Sequence, residues 1–241
     1  MSDIFIRYPR TMHLHGSKLA GKDKKLSEEE SIKVLSDSSM TYVWESKIDG
    51  TNLGVSYDDS GHVLQNRGHI LGAGEHSQYH LLWPWIAVHS DSILEKLDLT
   101  KIMFGEWCYA VHTVKYSSLA HYFNEFDVYD LETNTFFDTE RRNELLSPLT
   151  EKGVIAQVPV VHTGMLTLEE AHELVLTQPS QYGEDKPEGV YLKIERDGIV
   201  QGRYKIVREE FIQSIIDDDR HWRSRPVEVQ GLAEGVDIFS L

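Results

Sequence analysis

The chain is short of cysteine, of positive charge and of long apolar runs, and each shortage excludes something. Cys108 is the single cysteine in 241 residues, so there is no disulfide framework within the chain and no paired-cysteine zinc site. A reducing compartment is expected. No apolar run approaches the ~20 residues of a membrane-spanning helix, and the opening Met1-Ser2-Asp3-Ile4-Phe5-Ile6-Arg7 lacks the apolar stretch of a signal peptide. The expectation is a soluble, cytoplasmic protein with no membrane partner. Lysine and arginine number 24 against 39 acidic residues, a formal charge of −15. Binding to nucleic acid is driven largely by phosphate neutralisation and counterion release, so a general nucleic-acid coat is excluded and any polynucleotide contact must be local. Two basic runs are candidates: Lys18, Lys22, Lys24 and Lys25, and Arg220, Arg223 and Arg225 with His221 and Trp222. Solvated surface charge is the plain alternative for both.

What is present is enough apolar residue, 40% of the chain, for one large core or two small ones, and a single domain over residues 1–241 is the economical reading. Ser27 and Glu30 have capping-box spacing and predict a helix to Leu35. Thr41 to Ser46, Leu53 to Tyr57 and Val63 to Arg67 read as strands, the last two joined at Asp58-Asp59-Ser60-Gly61. Gln78 to Leu97 has helical apolar spacing, with Pro84 expected to kink or divide it. Lys101 to Trp107 and Tyr122 to Asp130 are further strands. Asp138 caps a helix through Leu146, and Thr167 with Glu170 opens another carrying Leu168, Ala171, Leu174 and Val175 on one face. A hairpin comes next, Val190 to Ile194 and Val200 to Val207 around Arg196-Asp197-Gly198, then a closing helix from Glu209 to Ile216. Antiparallel strands with helices outside them imply an α+β fold.

One run carries chemistry: Trp44-Glu45-Ser46-Lys47-Ile48-Asp49-Gly50-Thr51-Asn52. A lysine held at a turn after a strand can be aimed at a phosphate, and once neutral its amine is a nucleophile. By itself Lys-Ile-Asp-Gly more often describes an exposed turn. Its weight comes from five later positions in strand-like context: Arg67 in Gln65-Asn66-Arg67-Gly68, Glu106 in Phe104-Gly105-Glu106-Trp107, Phe126 in Phe126-Asp127-Val128-Tyr129, Glu188 in Glu188-Gly189-Val190-Tyr191-Leu192-Lys193, and Lys205 in Arg203-Tyr204-Lys205. This order resembles the covalent nucleotidyltransferase superfamily of polynucleotide ligases and mRNA capping enzymes, most closely ATP-dependent RNA ligases of the RNA ligase 2 type. The likeness runs from about Val43 to Arg208. Arg7-Tyr8-Pro9-Arg10-Thr11 and the stretch Gly105 to Tyr129 further resemble a small, stand-alone RNA ligase subfamily.

The resemblance implies a nucleotidyltransferase domain (ATP-grasp-like, ligase adenylation): two antiparallel sheets flanked by helices with the nucleotide between them, and no appended OB-fold after Lys205. It implies that Lys47 attacks ATP and retains AMP, that the adenylate passes to an RNA 5′-phosphate, and that a 3′-hydroxyl displaces AMP. Mg²⁺ or Mn²⁺ is the implied cofactor beside ATP, held through its waters by the single carboxylate of Glu188, which also contacts the nucleotide. Phe126 is implied to stack on adenine, and Arg67, Glu106, Asp49 and Asn52 to contact the nucleotide. Strand period puts Arg203 and Lys205 on one face, where both cations would stabilise charge at the α-phosphate and depress the pKa of Lys47. The same period turns Lys193 away from Glu188, which ranks it lower among the nucleotide contacts. Two departures are visible: Arg203 stands where lysine is usual, and Ser46 stands where glutamate commonly precedes the nucleophile. The implied partner is RNA with 5′-phosphate and 3′-hydroxyl ends, together with a kinase or phosphatase that prepares them.

Alternatives stay open at this point. A GTP-dependent capping enzyme, a DNA nick ligase and a non-catalytic nucleotide or nucleic-acid sensor would carry much of the same pattern, although a pure binder gains nothing from a nucleophile. Gly16-Ser17-Lys18-Leu19-Ala20-Gly21-Lys22 has P-loop glycine and lysine spacing, but Asp23 occupies the place where Ser or Thr must ligand Mg²⁺. His13 and His15 alternate like a metal pair without a third ligand nearby. His112 and His121 fall inside the ligase-like stretch as candidate substrate-facing residues.

Overall fold

Alternating apolar and β-branched residues build two sheets in the structure, a computed structural model describing residues 5–19, 23–217 and 226–240, without the side chains of 214–217. Lys22, Arg220, His221, Trp222, Arg223 and Arg225 of the two basic runs lie outside the described residues. The first sheet contains β1 (Met12–His13), β2 (Thr41–Lys47), β9 (Val160–Thr163), β10 (Gly189–Arg196) and β11 (Ile199–Val207), in the order β1-β11-β10-β2-β9. The second contains β3 (Thr51–Asp58), β4 (Gly61–Asn66), β5 (Lys101–Trp107), β6 (Phe123–Asp130) and β7 (Thr135–Phe136), in the order β4-β3-β5-β6-β7, with β8 (Ala156–Gln157) also on β6.

The sheets are antiparallel except at two edges, where the two-residue strands β1 and β8 pair parallel with β11 and β6. Those edges, with β7 and β9, carry too few residues for periodicity to register, which is why they are invisible to a reading of the sequence. The β10–β11 hairpin turns at Asp197 and Gly198, both with positive φ (56° and 79°), the backbone a two-residue hairpin loop demands.

Five helices are described. α1 (Glu28–Val34) and α4 (Leu168–Thr177) both open on complete capping boxes, Ser27 with Glu30 and Thr167 with Glu170. α4 sets Ala171 and Val175 into a core with Leu14 and with Tyr42, Trp44, Val190 and Leu192 of the first sheet. α2 (Leu82–Leu97) covers the second sheet, with the Trp85 ring centroid 5.8 Å from that of Trp107 and 5.3 Å from that of Phe123. Pro84 does not kink α2. It lies in the first turn, where its missing N–H has no intrahelical partner to lose, and the preceding residues form a separate 3₁₀ turn (Ser77–Tyr79). α3 (Thr139–Glu151) is capped by Asp138, whose side chain accepts from the Arg141 N–H, and continues past the expected Leu146 with Pro148 inside it. α5 (Glu209–Asp217) closes the described helical elements.

One connection fixes where the sheets meet. β2 belongs to the first sheet and β3 to the second, so the turn Ile48-Asp49-Gly50 hands the chain from one to the other directly after Lys47. Gly50 is required there, because a Cβ would stand 2.8 Å from the Cys108 sulfur and 3.1 Å from the Trp107 carbonyl oxygen. Asp49 holds the turn from the other side. Its carboxylate accepts N–H bonds from Thr113 (2.7 Å) and Val114 (2.9 Å), and its own N–H donates to the Tyr116 hydroxyl.

Candidate active site

The turn leaves Lys47 in the lining of a cleft of about 500 Å³ between the sheets. The first sheet contributes Lys47, Tyr191 and Lys205; the second contributes Asn52, Asn66, Glu106 and Phe126, with Arg67 in the loop after β4. Lys47, Asn52, Arg67, Glu106, Phe126 and Lys205, named from the sequence, therefore share one cavity although they span 158 positions. Glu188, the residue before β10, reaches Lys47 by pairing of the strands: Gly189 is the partner of Lys47, and the Glu188 carboxylate accepts from Lys47 Nζ at 2.6 Å. Gly189 cannot be replaced cheaply, since a Cβ would lie 2.0 Å from the Ile206 carbonyl oxygen.

The electrostatics of this group differ from the sequence expectation. Burial would push the Lys47 pKa down, but Glu188, Glu106 and Asp49 more than offset it, and the ammonium is stabilised. The expected net depression by Arg203 and Lys205 is not found, because the three carboxylates outweigh any opposing charge and both cations have acidic partners of their own. Lys205 donates to Asp23 at 2.7 Å; its own pKa is lowered, by burial first and then by the Lys47 charge, against the opposing pull of Asp23. Burial acts to raise Asp23, yet hydrogen bonds from Lys205 and His13 bring it down to about 2. Glu106 goes the other way: burial, only partly countered by Lys47 and Arg67, lifts it to about 8. Among the described residues its Oε2 is buried with no hydrogen-bond partner, as is Oδ1 of Asn52 across the β3–β5 ladder. Both residues line the cleft, and two unmet polar atoms there are a fit for the polar groups of a ligand.

Three sequence candidates are placed elsewhere. Arg203 does share a strand face with Lys205, but its guanidinium is bound to Asp127 at 3.0 Å and lies 3.8 Å from the Phe136 ring centroid. Lys193 is wholly buried and paired with Glu45 (3.0 Å) and Asp127 (3.2 Å), and it also donates to the Phe126 carbonyl. Asp49 serves the turn described above rather than lining the cleft. Arg203 and Lys193 thus lock the strand that carries Phe126. Arg142 of α3 completes that lock, donating to Glu45 and to the Phe126 carbonyl, each at 2.6 Å.

Other side chains carry no motif of their own. Tyr8 packs edge-on against Phe126 with centroids 5.2 Å apart, and its hydroxyl donates to Asp127 at 2.5 Å. Tyr191 links Tyr8 (3.0 Å) to Thr11 (2.6 Å). The only sequence signal for Tyr8 is its place in the family-like opening; Tyr191 is legible only as an outward position on β10. His112 lines the cleft, 3.2 Å from the Gln78 amide oxygen. His121 does not: it is buried against Trp85, and burial lowers its pKa to about 3. Of the P-loop spacing, Ala20, Gly21 and Lys22 lie outside the described residues; Lys18 pairs with Glu209, and the Ser17 hydroxyl binds His13 and the Val207 N–H. His13 bonds Ser17 and Asp23 rather than joining His15 in a metal pair.

Among the described residues no three His, Cys, Asp or Glu side chains gather into a metal cage. A hard divalent cation that keeps most of its waters needs no such cage, and the single carboxylate of Glu188 beside Lys47 fits that lighter requirement.

A family model described as RNA ligase matches residues 40–207, more than half of the chain. Among solved structures, a Naegleria gruberi RNA ligase with PPi superposes with a TM-score of 0.62 at 18% identity, covering 90% of this chain and 64% of that one. A mutant of the same ligase with ATP and Mn gives 0.60 at 17% identity, with 89% and 63% covered, and another with AMP and Mn gives 0.60 at 16%, with 85% and 61% covered. The chain therefore spans less than two thirds of these structures, and identity at this level establishes the fold. No curated protein sequence matches.

Proposed function

The chain belongs to the RNA ligase family, and from that premise we propose that it is an ATP-dependent RNA ligase working through a lysyl-adenylate on Lys47. The observation that carries the reading is the position of Lys47: at the sheet-to-sheet turn, in the lining of the cleft, with Glu188, Glu106 and Lys205 around it. In this reading ATP lies between the sheets, adenine on Phe126, ribose at the unmet polar atoms of Glu106 and Asn52, and phosphates toward Lys47, Lys205 and Arg67. With Ser46 in place of glutamate, the adenine edge meets a hydroxyl and backbone rather than a carboxylate.

The ammonium of Lys47 must lose a proton before it can attack, and Glu188 Oε2 at 2.6 Å is the acceptor beside it. The neutral amine then forms a P–N bond to the α-phosphorus while the bond to pyrophosphate breaks in line. Lys205 supplies charge to the oxygens of the transferring phosphoryl group. An RNA 5′-phosphate oxygen next takes the adenylyl group from Lys47, and an RNA 3′-hydroxyl finally displaces AMP to form the phosphodiester. Mg²⁺ or Mn²⁺, held at Glu188, would neutralise phosphate charge when bound.

Intact-mass measurement after incubation with ATP and Mg²⁺ should show a gain of one AMP, which alkali-stable labelling maps to Lys47. Lys47→Ala should abolish it with an unchanged circular dichroism spectrum. A gain from GTP in place of ATP, or no gain at all in folded protein, would overturn the proposal.

A further inference from the structure

Beside the cleft lies a second concavity, of about 430 Å³, lined by Arg7, Tyr8, Pro9, Arg10, Arg67 and Gly68. Tyr8, Arg67 and Gly68 line both, so the two concavities are neighbours that share a wall. Three guanidinium groups converge here without a carboxylate in the lining, on a chain whose net charge is −15. Among the described residues none of the three forms an ion pair, whereas Lys18, Lys47, Lys193, Arg203 and Lys205 are all neutralised by acids.

The cluster is also held in place. Arg7 Nε donates to the Arg67 carbonyl at 3.2 Å, and Arg67 Nη2 donates to the Pro9 carbonyl at 3.4 Å. One residue earlier, the Gln65 amide bonds both main-chain groups of Ile6, its Nε2 donating to the Ile6 carbonyl at 2.7 Å. The N-terminal segment is thus fastened to the end of β4, and the exposed arginines are presented from a fixed backbone. Guanidinium forks match phosphate oxygens bidentately, and fixing them in advance reduces the ordering cost of binding.

We propose that this arginine notch binds phosphate groups of the RNA strand and leads its 5′ end toward Lys47. The inference rests on the ligase reading, deepening it by naming where the polynucleotide enters. The cluster is distinct from the two basic runs seen in the sequence: it joins residues 7, 10 and 67, which no short linear window contains.

The test uses the full chain and an Arg7→Gln/Arg10→Gln variant, which leaves Arg67 and the cleft intact. Both proteins are labelled with α-labelled ATP, then offered single-stranded RNA carrying either a 5′-phosphate or a 5′-hydroxyl. The expected variant self-adenylates like the parent, binds RNA roughly tenfold more weakly in low salt, and shows a slope of log affinity against log salt reduced by about 1 to 2. Transfer of AMP to the 5′-phosphorylated strand falls in parallel. Weakening confined to the 5′-phosphorylated strand assigns the notch to the terminal phosphate; equal weakening of both assigns it to the backbone. Unchanged RNA affinity and AMP transfer in a self-adenylating variant would overturn the inference. Failure of the parent to self-adenylate would instead overturn the function proposed above.

Discussion

At the scale of single residues, the cleft cations differ in how they are held. Lys47 is stabilised as an ammonium by Glu188, whereas Lys205 is pushed toward neutrality by burial and by Lys47, and Asp23 opposes that push from 2.7 Å. Asp23 is itself held by His13 at 3.0 Å, and His13 by Ser17 at 2.6 Å, a chain of contacts reaching away from the cleft. Removing the Asp23 charge should therefore lower the Lys205 pKa further. In Asp23→Asn the ammonium of Lys205 is lost at lower pH, so the alkaline fall of Lys47 adenylation should begin at lower pH than in the parent. The acid side has the opposite sign. Asp23 is depressed to about 2, so its stabilising contribution is present above the ordinary carboxylate range near 4 and disappears as pH falls toward 2; parent and variant should converge in stability there. A pH series of adenylation rates and urea midpoints checks both, and an unshifted alkaline limb would remove Asp23 from any role in positioning Lys205.

At the scale of elements, the strand that carries Phe126 is held by charges rather than by apolar packing alone. Glu45 on β2, Glu125 and Asp127 on β6, Lys193 on β10, Arg203 on β11 and Arg142 on α3 form one buried network joining both sheets to a helix. Arg142→Met fills similar volume but leaves Glu45 with one counter-cation instead of two. Glu125, which burial already lifts to about 7, can take up a proton; Glu45 is left to bear the loss. Breaking such a pair typically costs about 3–5 kcal/mol, so the urea midpoint should fall clearly with an unchanged slope. A loss under about 1 kcal/mol would mean that the network is dispensable for stability. These elements also separate what the sequence reveals from what it withholds. Capping boxes at Ser27 and Thr167, the Asp197-Gly198 turn and the long strands are legible because each is encoded within a few residues. The partners of Arg203 and Lys193 are not, because strand period gives the face of a side chain and says nothing of which carboxylate waits across it. Pro84 misleads for a related reason: the consequence of a proline depends on where the helix begins, which the apolar spacing leaves undefined.

At the scale of the whole molecule, the cleft lies between two sheets with largely separate cores, one built around Trp44 and Leu192 and the other around Trp85 and Trp107. The six cleft residues are recognisable in the sequence as neighbours of one another only through family likeness; neither composition nor periodicity could bring positions 47 and 205 together. A nucleotide touching both walls would tie the sheets to each other and, by mass action, stabilise the folded chain by RT ln(1 + [L]/Kd), about 2.7 kcal/mol at a hundredfold excess over Kd. For a chain of this size about 1 kcal/mol moves the unfolding midpoint by roughly 2–4 °C, so ATP at that excess should raise it by roughly 5–10 °C. Lys47→Ala is the appropriate protein for this measurement, because it separates binding from covalent retention of AMP. It should keep most of the rise, since Phe126, Glu106, Asn52 and Arg67 remain, while Phe126→Ala should lose much of it. A midpoint indifferent to ATP in the Lys47→Ala protein would place the nucleotide somewhere other than between the sheets.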